Sequence, residues 1–323
     1  MPGRFSPSLT GIYFNDRHLT IVQLRAGFIT RRIRHCTSLR LPAGIVERQQ
    51  IVDTARFAEQ LGLACDAAGI TQRQVALALS NQLIVSRRIR VAAARGEQAL
   101  SALVRLEAER TLPAPLASLH LDYRVDSTAS RSDRNQPGKH CTVSLAAVQN
   151  AVIEPLLEAC RIAGLHPELV TTEGEALLRG LAILRHNRHA DPPLLAVAAE
   201  ANQVSAFALR QDAVSCACHR HVDGGGTRLV ADAALSAIDV CLQTVAGDQH
   251  HARPERLVLM GNAQLQKAII ERLTIHAPRL ALEQLPTPGT SGAVNTRDVG
   301  HHMRTCPIGL VFAIGLAACR RSC

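Results

Sequence analysis

The stretch Leu9-Thr-Gly-Ile-Tyr-Phe-Asn-Asp-Arg-His-Leu-Thr-Ile-Val-Gln-Leu24 decides the fold. Two apolar-rich runs flank the polar turn Asn15-Asp16-Arg17-His18, which is the pattern of a β-hairpin. A third run, Phe28 to Leu41, follows the turn residues Ala26-Gly27. The plan returns in the second half, where Leu194 to Ala199, Val204 to Leu209 and Ala213 to Val222 are again three short strands. Glu200-Ala201-Asn202 and Gln211-Asp212 separate them. Two strand triplets, each followed by helices, predict a duplicated α/β core with a cleft between its halves.

At 323 residues the chain is long enough for two domains and a substantial core. Its 47% hydrophobic and 20% charged content is that of a globular protein and not of a disordered one. The net charge of +9 comes almost wholly from arginine, since the only lysines are Lys139 and Lys267. A basic chain can serve nucleic acid or an anionic membrane surface. Nucleic acid is not the expected partner, because aromatics are 2%, tryptophan is absent, and single-strand binders need stacking platforms. The runs Arg31-Arg32-Ile-Arg34 and Arg87-Arg88-Ile-Arg90 fall on predicted strands and read as solvated faces. The ten cysteines show no secreted-domain spacing, and no signal peptide is expected before the first strand, so a reduced, cytoplasmic setting follows. The apolar tract Ile308 to Cys319 is shorter than the about 20 residues a membrane span takes and reads as a buried helix. Arg320-Arg321 at its end complement the helix dipole.

Between the triplets, Asp53 to Ala68 has helical periodicity and is stopped by Gly69. Gln74 to Ser80 is the next core strand. A module with its own rhythm follows: strand Leu83 to Val91, helix Glu97 to Leu112 ended by Pro113 and Pro115, and strand Leu119 to Val125. A polar loop, Ser127 to Lys139, leads to strand Cys141 to Val148, helix Ala151 to Ala163 and strand Leu169 to Thr172. This βαββαβ order reads as an inserted subdomain over residues 81–172. Residues 1–80 with 173–190 then form the first core half, and 191–323 the second. In that second half Asp223-Gly224-Gly225-Gly226-Thr227 precedes helix Arg228 to Val245, and strand Leu257 to Met260 reaches Gly261-Asn262.

These residues resemble the actin-like ATPase superfamily, with its ribonuclease H-like duplicated core, and within it the PilM proteins of type IV pilus assembly. The likeness covers nearly the whole chain. Gly11-Ile-Tyr-Phe-Asn15, with Thr20 beyond, is similar to a first phosphate loop of the pattern Gly-Ile-Asp-Ile-Gly…Lys. Leu119-His-Leu-Asp-Tyr-Arg-Val125 resembles a strand of the family's inserted subdomain. Cys160-Arg-Ile-Ala-Gly-Leu165 with Thr172-Glu-Gly-Glu-Ala-Leu177 is similar to the passage that leaves it. Leu257-Val-Leu-Met-Gly261-Asn262 resembles the adenosine motif, and Ile314-Gly-Leu-Ala317 the closing helix.

The resemblance places a nucleotide cleft at Gly11, Tyr13, Asn15, Asp16, Gly224, Gly225, Gly226, Gly261 and Asn262. The chemistry there is degenerate. Phosphate loops need glycine so that backbone N–H groups reach oxygen, and an acidic residue beside each holds magnesium or its waters. Tyr13 stands for the first aspartate and Asn15 for the glycine; Ala198, Glu200 and Val204 replace the second loop's pattern. Asp16 and Glu200 are expected as solvated turn residues. Little or no ATP hydrolysis and no required cofactor are expected, so the resemblance implies a pseudo-ATPase. The smaller subdomain of the second half is expected to be reduced to a few residues after Gly226. What the resemblance then implies is a scaffold at the inner face of the cytoplasmic membrane. It would take the N-terminal tail of a bitopic PilN-type protein and work with other pilus assembly proteins. An active actin-like ATPase or sugar-kinase relative is the first alternative, and an FtsA-like cell-division protein the second. The FtsA reading calls for an amphipathic C-terminal helix after a linker, and the related GspL-type secretion scaffold for a transmembrane continuation.

Cys216-Ala-Cys218-His219-Arg-His221 raises zinc. On a strand the two cysteines face one way and the two histidines the other, so one tetrahedral ion is not expected to collect them. His250-His251 and His301-His302 read as surface loops, and no HExxH, GxSxG or Walker A pattern occurs.

Overall fold

The computed structural model describes residues 9–25, 32–92, 94, 96–125, 140–185, 193–210, 213–224, 226–247, 253–277, 280–283, 285 and 307–319. The chain divides into two units, residues 1–80 with 159–323, and residues 81–158.

In the first unit, β1 (Thr10–Phe14), β2 (His18–Arg25) and β3 (Arg32–Arg40) form an antiparallel meander. A small hairpin, β4 (Val46–Glu47) and β5 (Gln50–Ile51), precedes α1 (Thr54–Ala67), which Asp53 caps by accepting the Arg56 N–H. β6 (Gln74–Leu79) then runs parallel to β1. The second half repeats the plan. β11 (Leu194–Ala199), β12 (Gln203–Arg210) and β13 (Ala213–His221) are antiparallel, and β14 (Arg256–Gly261) returns parallel to β11. With β10 (His166–Thr172) beside β6 and β15 (Ala281–Glu283) beside β14, each half is a five-stranded sheet of one strand order: third, second, first, fourth, fifth. Every residue of β1 and of β11 is buried, because these central strands are covered on both faces and cannot alternate.

α1 covers one face of the first sheet, where Phe14 meets Phe57 edge to face at 5.0 Å. α5 (Thr227–Ala246) and α6 (Ala263–His276) cover the outer face of the second through Val230, Ala234, Ile238, Ile269 and their neighbours. α5 has the length and mean hydropathy of a membrane span, yet its apolar stripe lies on β12 and β13. Between the sheets lie α4 (Glu173–Leu184) and α7 (Pro307–Ala317), whose side chains share one core with Leu9, Tyr13, Val22, Ala196, Phe207 and Met260.

That pair of helices packs backbone to backbone. A Cβ on Gly315 would land on the Ala176 carbonyl oxygen, and one on Gly180 on the Val311 carbonyl oxygen. Gly11 is constrained in the same way, since its Cβ would strike the Ala313 carbonyl of α7. At the far end of α4, Arg185 donates to both carboxylate oxygens of Glu283 at 2.6 and 2.9 Å, tying the helix to the second sheet.

The second unit holds β7 (Ile84–Ala92), α2 (Glu97–Thr111), β8 (Leu119–Val125) and β9 (His140–Gln149), the strands pairing in the order β7-β9-β8. α3 (Asn150–Ile162) leads out of it. The insertion is therefore shorter than the expected 81–172. β10 pairs in parallel with β6 and belongs to the first sheet, and the division falls within α3. Element order was readable from the sequence, but strand periodicity does not say which sheet a strand joins. The reduction in the second half is as anticipated, since only residues 222–226 separate β13 from α5.

Replacing Gly315 by alanine forces α4 and α7 apart. The expected cost is about 3 kcal/mol, the upper end for overpacking a core. The check is a urea midpoint measured beside an unobstructed control such as Gly62→Ala, whose Cβ meets nothing within 4 Å.

Candidate functional site

The two hairpin turns, β1–β2 and β11–β12, meet across the cleft between the halves. The Asn15 side chain is buried and used at both ends. Its carbonyl oxygen accepts the backbone N–H groups of Arg17 and His18 at 2.9 and 2.8 Å, an Asx turn that shapes the hairpin. Its amide nitrogen donates to both carboxylate oxygens of Glu200, at 2.7 and 2.8 Å. Burial, with Glu173 and Asp16 nearby, pushes the Glu200 carboxyl up to about 7. Glu200 is thus not the solvated turn residue expected.

Asp16 is also engaged. Its carboxylate accepts the Arg48 and Gln49 N–H groups at 3.0 and 2.7 Å. Those two residues form the β4–β5 turn with φ of 51° and 62°. Such a turn favours glycine or asparagine, because positive φ brings Cβ against the backbone. Here the aspartate holds a non-glycine pair in it, and so aims Gln49 inward.

Gln49 Nε2 donates to Glu173 Oε1 at 2.6 Å, and the Tyr13 hydroxyl donates to the same oxygen at 2.9 Å. Glu173 is 2% exposed at the first turn of α4, where the helix dipole favours negative charge. Tyr13 stacks on Phe312 of α7 with centroids 4.4 Å apart, so this phenol is fixed by ring and hydroxyl together. From the second half, His219 Nδ1 lies 3.9 Å from Glu173 Oε2 and 2.8 Å from Ser205 Oγ. Burial lowers the His219 pKa, with the Glu173 charge opposing. Among the described residues, Glu173 Oε2, Gln49 Oε1 and His219 Nε2 have no hydrogen-bond partner.

The remaining predicted residues lie at the ends of the second sheet's strands. Gly261 has φ 151°, and a Cβ there would come within 2.6 Å of the Ala199 carbonyl, beside Glu200. Asn262 caps α6 by accepting the Leu265 N–H at 2.8 Å. Gly224 turns with φ 90° in open space, and Gly226 is the N-cap of α5. Gly225 lies outside the described residues, as do His250, His251, His301 and His302. The structure links Tyr13 and Asp16 through Gln49 and Glu173, bonds Asn15 to Glu200, and sets Gly261 beside that pair. Gly11 lies under α7 instead. Sequence reasoning does not single out Gln49, Glu173 and Ser205, and it weighs His219 only as a zinc ligand; the left-handed turn carries no glycine, and burial of a helix-start glutamate leaves no local mark.

On β13, Cys216 and Cys218 face α5 while His219 faces Phe207 and Glu173, so the strand's alternation separates them. Among the described residues no group of three or more potential ligands is arranged for a metal.

A family model described as type IV pilus assembly protein PilM matches residues 11–229. A solved structure described as a PilM–PilN type IV pilus biogenesis complex is similar with a TM-score of 0.72 and 22% identity, over 96% of this chain and 97% of that one. The ethanolamine utilization protein EutJ from Carboxydothermus hydrogenoformans has a TM-score of 0.48 and 10% identity, over 96% of this chain and 89% of its own. A Bacteroides thetaiotaomicron protein with an actin-like ATPase fold has a TM-score of 0.47 and 8% identity, over 86% and 91%. The fold is the α/β actin-like one.

Two outcomes follow from the network. Because the Glu200 carboxyl rises from the ordinary 4.5 to about 7, its protonated form favours folding, and this contribution fades as pH rises through that window. Glu200→Gln should flatten the fall in stability between those pH values, as read by denaturant titrations across them. Tyr13→Phe keeps the stack but removes one donor from buried Glu173, and should cost about 1–3 kcal/mol in the same assay.

Proposed function

The chain belongs to the type IV pilus assembly protein PilM family, and from that premise we propose that it acts as a binding scaffold of pilus assembly and does not turn over nucleotide. Its partner in this reading is a bitopic PilN-type membrane protein, whose cytoplasmic tail it captures; that contact holds it at the inner face of the membrane. Support for the partner comes from the PilM–PilN complex, which the chain matches along nearly its whole length.

The observation that carries the scaffold reading is the Asn15–Glu200 bond. In an actin-like ATPase the two hairpin loops are where phosphates and their magnesium would be held. Here an amide side chain stands where glycine would expose backbone N–H groups. A carboxylate faces it where a polyphosphate would bring like charge, and the two are bonded directly. Asp16 is occupied by the β4–β5 turn, and Tyr13 is neutral and committed to Glu173. These residues do not fit a magnesium–polyphosphate group, and no hydrolytic step is derived from them.

An extended tail can be captured by main-chain bonds and side-chain pockets, which needs no chemistry from the cleft. The test is fluorescence binding of a synthetic PilN-type N-terminal peptide to the full chain, with a scrambled peptide as control, beside a calorimetric titration with Mg-ATP. Saturable binding of the native peptide alone is expected, with no heat from Mg-ATP at micromolar concentrations. Failure of the peptide together with nucleotide binding and phosphate release would sink the reading and favour an ATPase.

A further inference from the structure

Three cysteines meet where α5 crosses the second sheet. Cys216 and Cys218 stand on one face of β13, paired in register with Ala208 and Ala206 of β12. From α5, the Cys241 thiol donates to the Ala206 carbonyl at 3.5 Å. Neighbouring strands lie about 4.8 Å apart, so this sulfur is about one strand spacing from the two on β13. All three are free thiols, packed in or against the same apolar cluster.

The three are not equivalent. Cys241 is fully buried and Cys218 nearly so. Cys216 is half-buried on an edge strand of its sheet, which makes it the accessible one. The Cys241 thiol also turns to donate to Cys216, and that bond draws the Cys216 pKa down against the effect of burial. Burial pushes the Cys218 thiol up instead. The nucleophilic form of cysteine is the thiolate, so oxidation chemistry at this cluster starts at Cys216. A second sulfur in direct contact makes such a cysteine reversible, because a sulfenic acid condenses with a neighbouring thiol.

We propose that Cys216 and Cys241 are a peroxide-responsive pair that closes a disulfide between β13 and α5. The Cys216 thiolate attacks one oxygen of hydrogen peroxide; the O–O bond breaks, hydroxide leaves and a sulfenic acid forms. The Cys241 sulfur then attacks the Cys216 sulfur, the S–O bond breaks and a second hydroxide leaves. The two thiol protons turn both hydroxides into water, and the two sulfurs have given two electrons to the peroxide. A small thiol reverses the bond by exchange through a mixed disulfide. The inference is independent of the cleft and of the tail-binding reading.

The test treats the reduced full chain with a small molar excess of hydrogen peroxide, blocks the remaining thiols with N-ethylmaleimide and maps the digest by mass spectrometry. The expected result is a linked Cys216–Cys241 peptide pair, with maleimide labelling lost at both positions and restored by dithiothreitol. Cys241→Ser should leave Cys216 as a sulfenic acid that dimedone traps, and Cys218→Ser should still form the link. Cys216→Ser should form neither product. Circular dichroism and melting matched to the parent check that the variants are folded. Absence of the link in the parent chain overturns the proposal, whatever the variants do. So does a link from Cys241 to Cys218 that persists in Cys216→Ser. A link between two chains, read on a mixture of isotopically light and heavy protein, overturns it as well.

Discussion

The close crossing of α4 and α7 is the constraint on which the rest of the first unit depends. Gly180 and Gly315 let the two backbones touch, and Gly11 lets α7 lie directly on β1. Both sheets then bury their inner faces on the same pair of helices, in one continuous core. Close packing of this kind has two consequences. It excludes even one added methyl at the crossing, since interiors pack like organic crystals. It also fixes the distance between the halves, so the hairpin turns at the sheet ends arrive at a set spacing.

That spacing is what the polar network uses. Tyr13 reaches Glu173 only because its ring is clamped on Phe312 of α7, and Glu173 is in place because Thr172 caps α4. Gln49 completes the oxygen from a turn that Asp16 holds in left-handed geometry. Each donor here is supported by something else. A buried carboxylate without such donors would be costly, and removing one exposes the remainder to the full desolvation penalty. The Asn15–Glu200 bond lies beside this set. It joins turns that are 185 residues apart in sequence, across the line where the two halves meet.

Much of this architecture was legible in the residues. The strand triplets showed because their turns are polar and their runs apolar, and β11 has the bounds Leu194–Ala199 that its sequence suggests. Helix starts at Asp53 and Asn262 follow from side chains that accept the first turn's N–H groups. The failures have physical causes. Arg48-Gln49 does not look like a left-handed turn, because the stabilising group, Asp16, is remote in sequence. Glu200 and Asp16 look like surface residues for the same reason: their partners come from other segments. β10 was assigned to the insertion because nothing in a strand's own pattern names the neighbour it pairs with.

Gly11 shows how packing alone can require a motif glycine. The family pattern places glycine at the start of the first loop, and the position has kept it. The atoms that demand a glycine there belong to α7, whose Ala313 carbonyl and Ala317 amide leave no room for a Cβ. Asn15 sits four residues further on, at the tip, where its buried amide spans the gap to Glu200. Packing therefore requires the glycine at the strand, while hydrogen bonds to both its own turn and Glu200 use the asparagine at the tip. A glycine required for a steric reason thus supports the fold whatever the chemistry of the loop. That is why the hairpin identifies the architecture so well.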